Sequence, residues 1–162
     1  MTTNVYVLKL ADDCWYVGKA GDVHKRVAQH AMGYASAWTK LHKMVKLEVV
    51  YPNVSVFDED KYTKLYMNKY GIDKVRGGSY VLPTLDESMR RTIQRELWGA
   101  ADLCFRCGRN HFCTNCRENV DIFGKIITEP IGVVPVIIKS LAPVVQRKGF
   151  WSWMRCIFCC IA

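Results

Sequence analysis

Asn4-Val5-Tyr6-Val7-Leu8-Lys9-Leu10-Ala11-Asp12-Asp13-Cys14-Trp15-Tyr16-Val17-Gly18-Lys19 is the stretch on which the fold turns. Asn4 to Leu10 and Cys14 to Gly18 are short runs rich in Val, Tyr and Trp, and Ala11-Asp12-Asp13 between them has the chemistry of a tight turn. The stretch therefore predicts two antiparallel strands. On such a hairpin Tyr6 and Tyr16 can project from neighbouring positions toward one site, followed in sequence by Gly18, Lys19, Arg26 and His30. Two phenols beside cations suit a phosphodiester, because a tyrosine can relay a proton and Arg26 can stabilise charge developing on the phosphate.

Outward from the hairpin, Asp22 is placed to cap a helix running to about His30, with Val23 and Val27 on one face. Val45 to Tyr51 reads as a third strand, ended by Pro52-Asn53. Phe57 to Tyr70 reads as a helix opened by Asp58, Glu59 and Asp60, where the positive helix terminus favours acids, and stopped by Gly71. Asp73 to Tyr80 contains Arg76-Gly77-Gly78, a turn or loop that brings the backbone close to something. Thr84-Leu85-Asp86-Glu87 reads as a capping box opening a third helix, with Leu85, Met89, Ile93 and Leu97 at helical spacing. The class expected is α/β of the α+β kind: a nuclease-sized unit over 1–83, a connecting helix over 84–102, a cysteine-rich unit over 103–117 and a hydrophobic, basic tail over 118–162.

Length allows one respectable core and a small appendage, since the chain has 162 residues. With 50% hydrophobic and 23% charged residues, fibrous, collagenous and wholly disordered classes are excluded. The net charge of +8 favours an anionic partner, nucleic acid or an acidic membrane face. Lys19, Lys25, Arg26, Lys40, Lys43 and Lys46 stand against one acid, Asp22, and three of the four histidines (His24, His30, His42) fall in the same segment. Lys40 is thus a candidate nucleic-acid contact. The start Met1-Thr2-Thr3-Asn4 lacks the basic and apolar regions of a secretory signal, so an intracellular location, cytoplasm or nucleus of a host cell, is expected. The eight cysteines are clustered in a way that suits metal or lipid chemistry better than a disulfide frame, and Cys14, alone on a strand, is expected to be a buried thiol.

The full spacing resembles the GIY-YIG nuclease family over roughly residues 4–80. It comprises Asn4-Val5-Tyr6, Tyr16-Val17-Gly18 with Tyr16 ten positions after Tyr6, then Arg26 ten and His30 fourteen residues after Tyr16. Asn4 and Val5 stand where that family usually has Gly and Ile. Gly33 to Lys43, with Ala37-Trp38-Thr39-Lys40, is similar to the segment after the arginine helix in members that cut branched DNA. Phe57 to Tyr62 and Tyr70 to Tyr80 look like a subgroup common in large DNA viruses, in which a zinc knuckle trails the domain. The resemblance implies a small antiparallel sheet flanked by helices and a metal-dependent endonuclease that hydrolyses DNA with one Mg²⁺ or Mn²⁺. It further implies that Tyr6 or Tyr16 helps deprotonate the attacking water, that Arg26 steadies the scissile phosphate, and that His30 and Lys19 line the site. In such members a helix glutamate binds the divalent metal. Counting back seven from Tyr70 puts Thr63 in that slot, and a hydroxyl is a poor sole ligand for a hard cation. Glu59 lies four residues earlier and Asp60 three earlier, so either can supply the carboxylate from one turn away; Glu59 is the expected ligand.

Cys104-Phe105-Arg106-Cys107-Gly108-Arg109-Asn110-His111-Phe112-Cys113-Thr114-Asn115-Cys116 is too dense in soft ligands to be accidental. Zinc wants four N or S donors in a tetrahedron, and Cys-x-x-Cys supplies two through a tight turn. The segment resembles the CCHC zinc knuckle, except that three residues separate Cys107 from His111 where knuckles have four. Two ligand sets are open: Cys104, Cys107, His111 and Cys116, or the same set with Cys113 in place of His111. The first keeps the knuckle's own spacing from His111 to Cys116. A knuckle presents Phe105 and Phe112 for stacking on unpaired bases of DNA or RNA, and Arg106 and Arg109 for phosphate.

The tail has no uncharged stretch long enough to span a bilayer; Pro130 to Ile138 is the longest between residues 122 and 145 and holds two prolines. Arg147 to Ala162 is aromatic, basic and cysteine-rich, suited to peripheral membrane contact. Its end, Cys159-Cys160-Ile161-Ala162, fits a prenylation box with Cys159 as acceptor, and Cys156 or Cys160 could take palmitate. The leading expectation is a metal-dependent nuclease with a zinc knuckle that aids nucleic-acid binding. Its rivals are a catalytically silent nucleic-acid-binding module of the same fold and a lipid-tethered interaction protein. No small-molecule substrate is expected.

Overall fold

The computed structural model describes residues 2–128. The proline-interrupted segment from Pro130, the aromatic tail and the lipidation motif at Cys159 lie outside the described residues. Strand β1 (Thr2–Leu10) and strand β2 (Trp15–Ala20) form the expected hairpin, closed at Asp12 and Asp13, whose φ values of 59° and 55° suit the right-handed twist of the flanking strands. Helix α1 (Val23–Ala31) starts at Asp22, whose carboxylate accepts from the Lys25 amide at 3.0 Å. A short helix α2 (Ala37–Leu41), capped by Ser36, follows. Then come strand β3 (Met44–Ser55), helix α3 (Asp58–Tyr70), a 3₁₀ turn (Ile72–Lys74), strand β4 (Val75–Gly77) and helix α4 (Glu87–Ala100).

The class is α+β, and the sheet is mixed. Its order is β3-β1-β2-β4, antiparallel except for the last pair, where β4 runs parallel to β2 with Tyr16 opposite Arg76 and Val17 opposite Gly77. The turn expected around Arg76-Gly77-Gly78 thus contains a strand of three residues, too short for periodicity to reveal. Gly77 is nevertheless there for close approach. At its φ of 154° a β-carbon would lie 2.1 Å from the Val17 carbonyl oxygen, so any larger residue would push β4 off β2.

Two further expectations are corrected. Pro52 does not end β3; it sits in a bulge between the Val5–Tyr51 and Thr3–Val54 pairs, with Asn53 at φ 56°. A missing N–H is tolerated at a bulge on an edge strand, and β3 is an edge strand. Helix α4 begins two residues later than the capping-box reading placed it. Asp86, not Thr84, is the cap, accepting from the Met89 amide at 2.8 Å, while Leu85 just before it is buried in the core.

Strand alternation sends the sheet's side chains to two cores. Val5, Val7, Trp15 and Val17 pack with Met67 of α3, Val75 and Ile93 of α4. Tyr6, Leu8, Leu10 and Tyr16 pack with Val23 of α1 and Trp38 of α2. Arg76, 2% exposed, ties β4 to its surroundings. It donates to the carbonyls of Leu82, Ile72, Val75 and Pro83 at 2.7–3.0 Å, and its guanidinium lies 4.6 Å from the Trp38 ring centre. Among the described residues no helix is long and apolar enough to cross a membrane.

Candidate active site and metal centre

Tyr6 faces Gly18 across the β1–β2 pair, and Tyr16 is two residues from Gly18 on the same face. Both rings lean over that glycine: a β-carbon there would lie 2.4 Å from the Tyr6 hydroxyl and 2.9 Å from Tyr16 Cε1. The space a side chain would take is what lets the phenols converge, with ring centres 6.4 Å apart. The last turn of α1 brings His30 between them, 1% exposed, with Nε2 2.9 Å from the Tyr6 hydroxyl and the ring 4.7 Å from that of Tyr16.

The tautomer of His30 follows from its other neighbour. Its Nδ1 is 2.9 Å from Thr39 Oγ1, and Thr39 directs its single hydroxyl proton to the Ser36 carbonyl. Nδ1 must therefore carry the proton and donate to Thr39, which leaves Nε2 bare to accept from the Tyr6 O–H. Burial lowers the His30 pKa to about 4, and the Arg26 charge adds to the effect. Burial pushes the Tyr6 phenol well above its usual range; Tyr16 adds to this and Arg26 opposes it. Tyr16 is raised by burial and by the Glu59 charge, against Arg26 and a hydrogen bond from Ser36.

Arg26, four residues before His30 on α1, is held by Gln29 Oε1 at 2.9 Å and the Ala35 carbonyl at 3.5 Å, and its charge opposes the upward shift of both phenols. Lys19 at the end of β2 pairs with Glu59 of α3, Nζ to Oε2 3.2 Å. The two line a hollow of about 260 Å³ with Val56, Phe57, Asp60, Gly78 and Ser79. Six residues distant in sequence, Tyr6, Tyr16, Lys19, Arg26, His30 and Glu59, are thus brought into one neighbourhood. Lys40 is exposed on α2.

The three candidates on α3 separate sharply. Thr63 is fully buried, its hydroxyl donating to the Glu59 carbonyl at 2.8 Å, so it faces the core and not the hollow. Asp60 is engaged by the Ser79 amide at 2.7 Å and the Ser79 hydroxyl at 2.8 Å, which fixes the loop after β4. Glu59 alone offers a carboxylate to the tyrosines. Mg²⁺ is commonly held by one or two carboxylates together with water and substrate phosphate, so the residues present fit such an ion. Sequence reasoning missed Thr39, which orients His30; it lay within the quoted Ala37-Trp38-Thr39-Lys40 segment, but no spacing rule marks a hydroxyl as the partner of a histidine.

Beyond α4, the ligand atoms of Cys104, Cys107, His111 and Cys116 all lie within 4.8 Å of one another, with Cys107 Sγ 3.4 Å from His111 Nε2. Three thiols and an imidazole converging this closely fit a tetrahedral metal such as zinc. The three cysteines are buried, while Cys113, in the 3₁₀ turn Cys113–Asn115, is partly exposed and outside the set. Burial pushes the Cys116 thiol up, but hydrogen bonds from His111 and Arg106 outweigh it and bring it down to about 6. Burial and the neighbouring thiols raise Cys107.

Arg106, expected as a phosphate contact, is partly buried and also has internal partners. Its guanidinium donates to Cys116 Sγ at 3.3 Å and to the Glu118 carbonyl at 2.7 Å, so it braces one sulfur of the cluster that could hold a metal. Arg109 is exposed and pairs with Glu118 at 3.2 Å. Phe105 and Phe112 are exposed by 45% and 82%, leaving ring faces open. Residues 118–128 wrap the cluster: the Ile122 amide donates to the Cys107 carbonyl at 2.9 Å, and Ile127 is buried against the cysteines. Gly108, at φ 77°, lies flat on Trp98 of α4, where a β-carbon would come within 2.6 Å of the indole.

No protein-family model matches the chain, and no solved structure matches it. A stretch of 42 residues, 26% of the chain, is 43% identical to the UPF0213 protein YazA of Bacillus subtilis (strain 168). The match spans 42% of that protein's length. Taken with the paired tyrosines on adjacent strands and the arginine helix behind them, it supports a distant GIY-YIG-like relationship for this chain.

Proposed function

We propose that the chain is a metal-dependent endonuclease that hydrolyses phosphodiester bonds of DNA, with the cysteine–histidine cluster holding zinc and helping to grip the nucleic acid. The observation that carries this reading is the hydrogen-bond chain Tyr6–His30–Thr39, whose phenol feels the charges of both Arg26 and Glu59. A Mg²⁺ or Mn²⁺ bound at Glu59 would supply Lewis-acid stabilisation of charge on the phosphate. Everything else falls to the chain's own groups. Tyr6 takes a proton from the attacking water while its own passes to the bare Nε2 of His30, so no free phenolate forms at a buried hydroxyl whose pKa is raised. Arg26, whose charge acts on both phenols, neutralises charge growing on the non-bridging phosphate oxygens. Lys19, paired with Glu59 at 3.2 Å, would exchange that partner for the phosphate.

Cleavage of labelled duplex, flapped, branched and single-stranded DNA with Mg²⁺ or Mn²⁺ tests the reading, with Arg26→Ala and a chelator as controls. Cutting lost in both controls supports it. Binding without cutting across the panel supports a silent module instead, a reading favoured by the Lys19–Glu59 ion pair, which occupies one oxygen of the candidate metal carboxylate.

A further inference from the structure

Phe57 is 83% exposed at the lip of the hollow that contains Lys19 and Glu59. A single exposed apolar side chain is ordinary, but this one is held in place. The Ser55 hydroxyl accepts from its amide at 3.3 Å, and the Asp58 carboxylate accepts from the Ser55 amide at 2.9 Å. These bonds lock the Ser55–Asp58 turn that carries the ring into α3. Lys19 adds a third tie, donating to the Val56 carbonyl at 3.2 Å. The ring therefore stands on a braced corner, two residues from the candidate metal carboxylate and one from the carbonyl that Lys19 binds.

On the nuclease reading, a phosphate bound by the cations Arg26 and Lys19 beside Glu59 places its adjoining nucleotide within reach of that corner. A paired base in a duplex keeps its faces stacked on its neighbours, whereas an unpaired base has a free face for a braced aromatic ring. We propose that Phe57 is a specificity-determining residue that stacks on an unpaired base next to the scissile phosphate, so that the site selects DNA with a single-stranded or flapped element. The exposed rings of Phe105 and Phe112 on the metal-binding cluster suit the same class of substrate, since sequence-tolerant gripping of single strands rests on such platforms.

The test uses the full chain with flapped and fully paired DNA of one sequence, 2-aminopurine replacing one base at a time along the flap. Wild type, Phe57→Ala, Phe57→Leu and Phe57→Trp are compared, with thermal melts to confirm that each is folded. The expected result is stacking-dependent quenching at one position, lost in Phe57→Ala and Phe57→Leu and kept in Phe57→Trp. The ratio of flapped to paired affinity should fall about 5- to 150-fold in Phe57→Ala, the span of one base–aromatic stack. Equal losses on both DNAs, rescue by leucine, or quenching unchanged by Phe57→Ala would overturn the proposal. Because quenching and affinity need no turnover, a chain that binds but never cuts would defeat the nuclease reading and leave this result standing or falling by itself.

Discussion

The Tyr6 hydroxyl donates to the bare Nε2 of His30, 2.9 Å away, and the proton on the far nitrogen is fixed by Thr39. Two residues 24 positions apart in sequence are thus joined by one hydrogen bond, and its direction is set by a third, buried side chain. Thr39→Val should lower cleavage about 10-fold or more by freeing the imidazole to take the other tautomer, and His30→Ala about 100-fold or more. Single-turnover rates at saturating DNA would show this; unchanged rates in His30→Ala would place the proton path elsewhere.

His30 also makes stability depend on pH. Its folded pKa of about 4 lies below the ordinary 6.5, so between those values the unfolded chain binds more protons than the native one, and stability rises with pH. The contribution is complete above pH 6.5 and is lost as pH falls through 4, amounting to about 3 kcal/mol in all. Urea unfolding at pH 7 and at pH 4.5 should show wild type losing about 2 kcal/mol more than His30→Gln, which has nothing to titrate there. Parallel losses would mean that the ring is protonated in the folded chain.

Gly18→Ala isolates the convergence of the two phenols. The new methyl would lie 2.4 Å from the Tyr6 hydroxyl and 2.9 Å from Tyr16 Cε1, and both rings belong to a packed core, so at least one must move. Displacing a proton-relaying group by about an ångström costs about 100-fold in rate. Cleavage should fall by about that factor, with a melting temperature lowered by a few degrees at most. Full activity in Gly18→Ala would show that the tyrosines need not meet.

Much of this arrangement was legible in the sequence, and the exceptions have physical causes. The hairpin was readable because Ala11-Asp12-Asp13 punctuates two β-rich runs, and α1 because Asp22 is a strong cap. Strand β4 was not, since three residues carry no periodicity and the pairing partner, β2, lies some sixty residues away. The early start given to α4 came from Thr84-x-x-Glu87 matching a capping box while Asp86, with Met89 three residues on, made the actual cap. At the site, Tyr6 and Tyr16 could be paired from the hairpin, and Arg26 and His30 were marked by the family resemblance. The choice among Glu59, Asp60 and Thr63 could not be made, because all three lie within one helical turn or so of each other and only tertiary partners tell them apart. The internal partners of Arg106 were hidden for a similar reason: its charge suggested phosphate, and only the folded chain brings Cys116 and Glu118 back onto it.

Those three α3 residues make opposed predictions. Glu59→Gln should abolish metal-dependent cutting, a loss of about 100-fold or more, while DNA binding persists. Thr63→Val removes one buried hydrogen bond, and because the Glu59 carbonyl can keep its helical partner the cost should be about 1 kcal/mol in stability with cutting retained. Asp60→Asn should fall between, loosening the Ser79 loop at the edge of the hollow. Rates and melts on the same three proteins decide it; a silent Thr63→Val paired with an active Glu59→Gln would remove Glu59 from the chemistry.

For the cysteine–histidine cluster, metal content is the direct readout. The convergence of Cys104, Cys107, His111 and Cys116 predicts one zinc per chain, and a cobalt-substituted form with the thiolate charge-transfer and ligand-field bands of a tetrahedral sulfur-rich site. Cys107→Ser and His111→Ala should each lose the metal, whereas Cys113→Ser should keep it with an unchanged spectrum. The same experiment separates brace from ligand: Arg106→Gln leaves four donors in place but withdraws the hydrogen bond to Cys116, so affinity for zinc should drop about 10- to 100-fold with the cobalt spectrum retained. If Cys113→Ser were the variant that lost its metal, the second ligand set open in the sequence would be the one in use, and His111 would have to turn away from Cys107.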